Sequence, residues 1–225
     1  MKTWCFPKEA NGEYVYRMEN VLNEYAKPFD PLEPLICMDE ASRQLIGQVA
    51  TPLPAQPGRP RLEDYEYVRN GTCNFFVFCQ PLAGWRHVIV TERRTKRDWA
   101  LAVRNLVDVQ FPAARRIRLV MDNLNTHSGA ALYDTFSPAE ARRLLEKLEF
   151  HYTPKHASWL NMAEIEIGIL SRQCLDRRID DREFLTGEVA AWQIDRNRRE
   201  AKIHWTFTIE TARNKLKKLY PTIQD

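Results

Sequence analysis

The stretch RLVMDN, residues 118–123, is apolar on both faces of an extended chain and ends abruptly on a carboxylate, Asp122. A run apolar on both sides belongs in the middle of a sheet covered by helices on each face. Asp122 then falls at the C-terminal edge of a central strand, where α/β sheets place their ligands. Two other stretches share this character. LICMDE at 35–40 ends an apolar run on Asp39, and SWLNMAE at 158–164 sets Glu164 near the start of an apolar helix. A charge beside a core is costly unless it is paired, hydrogen-bonded or bound to a cation. Three such carboxylates from distant parts of one chain make a set of hard oxygen donors suited to Mg²⁺ or Mn²⁺.

Working outward, residues 1–33 read as a lead-in. Val15, Met18, Val21 and Leu22 recur at helical spacing, and Pro28, Pro31 and Pro34 end that helix. Leu35 to Asp39 reads as a short central strand, and TPLPAQPGRPR at 51–61 as loop. Arg69-Asn70-Gly71 marks a turn before the β-rich run CNFFVFC at 73–79, and Ala83-Gly84 turns the chain into a second strand, Trp85 to Thr91. Trp99, Ala102, Val103, Leu106 and Val107 repeat at helical spacing before the strand Ile117 to Met121. Pro138 opens a helix bearing Leu144, Leu145 and Leu148, Phe150 to Thr153 forms a strand, and Ser158 caps a helix running to about Leu175. A further helix carries Leu185, Val189 and Trp192 on its core side.

Antiparallel strands therefore come first, and helix-linked parallel strands follow. The expected architecture is α/β: a mixed five-stranded sheet, an antiparallel hairpin plus parallel strands, flanked by helices. That order of elements is that of the ribonuclease H-like fold. The expected organisation is a lead-in over 1–33, a catalytic domain over 34–200 and a basic helical tail over 201–225.

The 225 residues, 44% apolar and 28% charged, are enough for one large domain with a substantial core. A net charge of +3 says little about partners by itself, but its distribution says more. From Asp195 to Tyr220, Arg196, Arg198, Arg199, Lys202, Arg213, Lys215, Lys217 and Lys218 face only Asp195, Glu200 and Glu210. Such a segment suits phosphate, and a solvated helix face explains it as well. The five cysteines (Cys5, Cys37, Cys73, Cys79, Cys174) are scattered without a CxxC pair, so a disulfide framework is not expected and a cytoplasmic location is. No segment approaches the ~20 apolar residues that cross a bilayer, so no membrane partner is expected.

Alternation along a strand puts Asp39 on the face of Leu35 and Cys37, with Glu40 pointing the other way. On the late helix, Glu164 and Glu166 stand roughly 200° apart around the axis and cannot both serve one site. Glu164, one turn after Asn161, can return toward the sheet edge, and Glu166 is expected to meet solvent or a basic partner.

In these residues the chain resembles the transposases of the mariner superfamily, and more closely its bacterial insertion-sequence branch, from about Pro34 to Tyr220. DNLNTH at 122–127 looks like that family's second-aspartate motif, YTPKHASWLNMAE at 152–164 like its final block, and Asp39 in CMDE like the first aspartate. The resemblance implies that Asp39, Asp122 and Glu164 are catalytic ligands of two Mg²⁺ ions, with Mn²⁺ as an alternative. They would drive DNA cleavage and strand transfer at insertion-sequence ends, with water and then a freed 3′-hydroxyl as nucleophile. It also implies a homodimer. The chain departs from the family pattern in two respects. Forty-one residues separate Asp122 from Glu164, more than is usual there, and the first carboxylate comes only 39 residues in. Two readings follow for the helix-turn-helix modules that normally precede such a domain: either the chain is a catalytic fragment, or they are carried by a separately encoded DNA-binding polypeptide, from a separate or overlapping frame.

Around the triad, Asn123, His127 and Asn161 are expected to orient carboxylates or phosphate, with loop capping or a structural histidine as the plainer readings. Arg93, Arg94, Lys96, Arg97, Lys155, His156, Lys215, Lys217 and Lys218 are candidate DNA contacts. Trp159 and Trp205 have the chemistry to stack on bases, though buried packing explains them better. Two alternatives stay open: a truncated remnant that binds DNA or a partner without turnover, and a ribonuclease H-like nuclease that cuts without joining.

Overall fold

A computed structural model of the chain describes residues 7, 9–124 and 127–222, which leaves Cys5 outside the described residues. Five strands form one sheet: β1 (Leu35–Gln48), β2 (Tyr67–Gln80), β3 (Trp85–Thr91), β4 (Ile117–Met121) and β5 (Leu148–Tyr152), in the spatial order β3-β2-β1-β4-β5. β1, β2 and β3 pair antiparallel, whereas β4 pairs parallel with both β1 and β5. This is the mixed sheet expected from the pattern of elements. The helices are α1 (Gly12–Ala26), α2 (Lys96–Asn105), α3 (Gly129–Tyr133), α4 (Pro138–Glu146), α5 (Ala163–Gln173), α6 (Arg182–Arg198) and α7 (Ile209–Lys215). Among the described residues, no helix is long and apolar enough to cross a membrane.

Strand alternation divides the core between two layers. Ile36 and Met38 of β1 pack with Trp99, Val103, Leu132 and Leu144 from α2, α3 and α4. Leu35 and Cys37 pack the other way, with Val21 of α1 and with Met162 and Ala163 at the head of α5. Carrying that parity one step further aims Asp39 at the α5 layer and Glu40 at the α2 layer. β4 is buried at all five positions, as its two-sided apolar sequence requires.

β1 does not stop at Asp39. It continues to Gln48, paired with β2 from Tyr67 onward as a two-stranded ribbon that extends beyond the pairing with β4. Only Leu45 and Gly47 are buried in that extension, which is why its polar sequence did not read as strand. Arg69-Asn70-Gly71 is correspondingly not a turn but part of β2. Between the pairs Gln44–Thr72 and Ile46–Arg69, β1 has one residue and β2 has two, a β-bulge, and Gly71 takes φ +98° there. The ribbon is tied back by Ile46 N–H to Ile179 O (2.8 Å) and by the Arg43 guanidinium to Leu175 O (2.5 Å).

The outer edge of β3 is closed by side chains of α6. Asn197 Oδ1 accepts from Arg86 N–H (2.8 Å), its Nδ2 donates to Arg86 O (2.9 Å), and Gln193 Oε1 accepts from Val88 N–H (2.7 Å). The turn before β3 needs Gly84, at φ +67°, because a Cβ there would lie 2.3 Å from the backbone carbon of Glu200.

The two ends of the described chain meet on the α5 face. Tyr14, Met18 and Leu22 of α1 share a cluster with Ala157, Leu160, Ala212 and Leu219. Arg213 and the Tyr220 hydroxyl both bond Glu19, and Asn11 N–H bonds Leu219 O (3.0 Å). Trp205 lies edge-on to Tyr25 (5.2 Å) and Trp159 edge-on to Phe207 (5.5 Å), so both tryptophans serve packing.

Candidate active site

Asp39 sits on the central strand, only 8% exposed, opposite Val77 of β2 and two residues beyond the last β1–β4 pair, Cys37–Val120. Its Oδ1 accepts from Glu40 N–H (2.8 Å) and its Oδ2 from the Asn161 side-chain amide (3.2 Å). Burial, reinforced by the negative charges of Glu164 and Asp122, pushes its carboxyl up to about 7. Three carboxylates from β1, the end of β4 and the head of α5 thus share one electrostatic neighbourhood. Their mutual repulsion is what a divalent cation would relieve.

Asp122 is the first residue past β4, beyond Met121, which pairs with Tyr152 and accepts Thr153 N–H at 2.9 Å. One of its oxygens, Oδ1, lies 2.6 Å from His127 Nδ1. The other ring nitrogen lies 3.0 Å from Glu40 Oε1, so the imidazole spans two carboxylates. Burial alone would depress this histidine, but the hydrogen bonds and charges of Asp122 and Glu40 lift it to about 9. Trp99 stacks on the ring at 5.8 Å, and the Tyr152 hydroxyl donates to His127 O (2.9 Å). Glu40 is the residue that the sequence did not flag: its side chain is only 5% exposed, and Arg94 Nη1 approaches its second oxygen at 3.9 Å.

Ser158 does not cap the late helix. It starts a short 3₁₀ turn, Ser158–Leu160, with no side-chain cap, and α5 begins at Ala163. The capping oxygen comes instead from Asn161, whose Oδ1 accepts from Ala163 N–H (3.1 Å). The Nδ2 of the same fully buried amide donates to Met38 O (2.7 Å) and to Asp39 Oδ2. One side chain therefore starts α5 and fastens it to β1. Glu164 follows in the first turn, exposed, with no hydrogen bond to its carboxylate among the described residues.

Glu166 points away, as the helix geometry requires, but it does not meet solvent. It is fully buried, with Oε1 at 3.1 Å from both Arg86 and Arg196. Arg86 also donates to Gly84 O and Ala201 O, so a charge-assisted knot joins α5, β3 and α6.

The other predicted residues are dispersed. Asn123, Lys155 and His156 are exposed and, with Asp122 and Thr153, line a cavity of about 480 Å³ beside the site; His156 takes φ +64°. The basic run after β3 splits. Arg94 reaches Glu40, Lys96 lies 3.6 Å from Asp134, Arg97 is exposed, and Arg93 lines a different cleft with Asp180 and Arg182. Lys215, Lys217 and Lys218 are exposed on α7 and the turn after it, against α1 rather than the sheet.

Among the described residues, the group whose ligand atoms all lie within 4.8 Å of one another is not the triad but Glu24, Glu149 and His151. It reads best as an ion-pair network, because Glu24 already holds Arg118 (3.0 Å) and Lys27 (2.5 Å), and His151 Nδ1 meets Asn20 Oδ1 (2.7 Å). Burial would raise Glu24, but these two cations hold it below the usual carboxylate range.

The sheet order and mixed pairing define a ribonuclease H-like domain. The chain belongs to the DDE superfamily endonuclease family, whose profile matches residues 34–186. Among solved structures it is similar to the Mos1 transposase paired-end complex with left transposon end, with a TM-score of 0.57 and 17% identity, covering 89% of this chain and 62% of that one. The Mos1 mariner paired-end complex with Mn matches similarly (TM-score 0.55, 17% identity, 89% and 62% covered). The catalytic domain of Mos1 mariner transposase matches at a TM-score of 0.53 and 13% identity, over 89% of this chain and 100% of that one. At such identities the likeness establishes the fold. The chain spans about 62% of the length of the first two. No curated protein matches the sequence.

Proposed function

We propose that this chain is a transposase catalytic domain that cleaves DNA at the ends of a mobile element and joins the freed ends to a target, with Asp39, Asp122 and Glu164 as the working carboxylates. The observation that carries the proposal is the state of Asp39. Its carboxyl is buried, raised to about 7, and repelled by the other two carboxylates. A donor set of hard carboxylate oxygens, two of them partly or fully exposed, fits Mg²⁺ or Mn²⁺. Asp39, Asp122 and Glu164 would hold a pair of such ions, which when bound activate an oxygen nucleophile and stabilise the leaving oxygen of an in-line displacement.

The chain's own groups then have defined tasks. Asn161 fixes Oδ2 of Asp39 and the start of α5 together, which sets where Glu164 stands relative to β1. His127 engages one oxygen of Asp122 and leaves the other to face the reaction. Lys155 and His156, which line the cavity beside Asp122, and Arg94 next to Glu40 would take phosphate, and the basic surface of α7 would extend the track. The paired-end assembly of the Mos1 relatives supports a dimer that brings two DNA ends together.

The test is a cleavage and strand-transfer assay with element-end DNA. Mg²⁺-dependent nicking and joining, lost in Asp39→Ala, Asp122→Ala and Glu164→Ala but not in Glu149→Ala, is the expected outcome. Nicking without joining would assign the chain to nucleases, and retained cleavage in all three variants would reject the site.

A further inference from the structure

Asp122 lies one residue beyond the ladder, on a loop with no helix or strand to hold its side chain. A carboxylate there is free to turn about χ1 and χ2 unless a contact pins it. One contact does so: Oδ1 is 2.6 Å from His127 Nδ1, and Oδ2 has no hydrogen-bond partner among the described residues. A histidine held at one nitrogen still pivots about that bond, so the ring itself needs a second anchor. That anchor is Glu40, whose Oε1 sits 3.0 Å from Nε2 on the opposite side of the ring. Glu40 belongs to β1, where it lies within the regular register with β2, opposite Phe76. Trp99 closes one face of the ring, and the Tyr152 hydroxyl holds the histidine's own carbonyl.

We propose that Glu40 is a positioning residue for Asp122, acting through His127: by anchoring the far nitrogen it decides which oxygen of Asp122 is presented beside Asp39 and Glu164. The adjacent pair Asp39-Glu40 therefore serves one site from two faces of the same strand. Asp39 enters it directly from the α5 face, and Glu40 governs its neighbour from the α2 face. The inference rests on the carboxylate site proposed above. It adds a residue that touches neither substrate nor ion, and its contacts are those by which outer partners orient ligands and tune metal affinity.

The experiment is a double-mutant cycle on Mn²⁺ affinity, read by electron paramagnetic resonance of free Mn²⁺ with the full chain and Mn²⁺ alone, alongside cleavage kinetics and thermal melting. Glu40→Ala and His127→Ala are each expected to weaken Mn²⁺ binding about 10–100-fold and to lower kcat with little change in KM for DNA. The double variant is expected to be no weaker than the worse single, because Glu40 has nothing to act through once the ring is gone. Glu40→Gln keeps an acceptor for Nε2–H and should recover most of the affinity, a rescue that a bulk packing role would not produce. If Glu40→Ala does not fold, Glu40→Ser, too short to reach the ring, takes its place. Wild-type Mn²⁺ affinity in the Glu40 variant, or additive losses in the double, overturns the inference. Asp122→Ala separates the two levels: loss of Mn²⁺ binding there with an unaffected Glu40 variant sinks only the positioning role. Retained binding in Asp122→Ala sinks the site and the inference together.

Discussion

Replacing Asp39 by Asn in metal-free protein isolates the energetic signature of the site. In the folded chain this carboxyl titrates at about 7 against an ordinary value of 3.8, chiefly from burial and then from Glu164 and Asp122. At ~1.4 kcal/mol per tenfold change in proton affinity, the gap is worth about 4 kcal/mol as an upper bound. The sign follows from linkage: between about pH 4 and 7 the unfolded chain has lost the proton while the folded chain keeps it. The Asp39 contribution to wild-type stability therefore falls as pH rises through that window and levels off above it. Asp39→Asn lacks the titration and should not follow that slope. Its amide does meet the Asn161 amide at the former Oδ2 position, which adds a pH-independent offset of about 1 kcal/mol. His127, lifted from 6.5 to about 9 by folding, gives stability that declines above about pH 6.5 in both proteins alike, so its slope cancels in the difference. The assay is urea unfolding by tryptophan fluorescence, in chelator, from about pH 4 to pH 8. The gap between variant and wild type should change by about 2–4 kcal/mol across the window and collapse in saturating Mn²⁺. Parallel stability curves would show that Asp39 is not buried beside two like charges, and the argument for a cation site would fail with it.

Four other perturbations are expected to read out separately. Glu166→Ala strands Arg86 and Arg196 without their carboxylate and should cost about 3–5 kcal/mol in denaturant unfolding; a cost under 1 kcal/mol would deny the knot a structural role. Gly84→Ala forces a Cβ onto the Glu200 backbone at a positive φ, and a drop in melting temperature of several degrees is expected, with an unchanged Tm as the contrary result. Asn161→Ala removes both the α5 cap and the tie to β1; at about 1–3 kcal/mol it should lower stability and cleavage together, whereas Asn161→Asp should add a fourth negative charge and depress cleavage more. Neutralising Lys215, Lys217 and Lys218 should flatten the log-log salt dependence of DNA binding by up to about 3; an unaltered slope would remove α7 from the DNA track.

The sheet was legible because its strands obey simple rules. β4 is apolar on both faces and β2 is dense in β-formers from Cys73 on, so both were visible without structure. The outer ribbon was not. Residues 41–48 and 67–72 bury few side chains, and their pairing is sustained by backbone bonds and by the segment at 175–180, which leaves no local periodicity. The reading of Ser158 as a cap failed for a related reason. Serine, placed before an apolar run, satisfies the local preference, but a 3₁₀ turn intervenes and the long-range tie from Asn161 to Met38 decides where α5 begins. Within the site, Asp39 and Asp122 each close an apolar run and Glu164 stands near the head of an apolar helix, where a charge against a core is conspicuous. Glu40 carries the same charge but owes its role to a histidine 87 positions away, and no spacing rule reaches that far.

The amide fringe that α6 lays along β3 has a consequence for how this molecule behaves in company. A terminal strand with free N–H and C=O groups invites a second polypeptide to zip alongside it, in fibrils as in regulated complexes. Here Asn197 imitates a strand neighbour at Arg86 and Gln193 occupies the next donor. Oligomers built by continuing the sheet through this side are thereby disfavoured. Clipping those two carboxamides back to alanine would uncover a sticky flank, and self-association rising with concentration would be its mark.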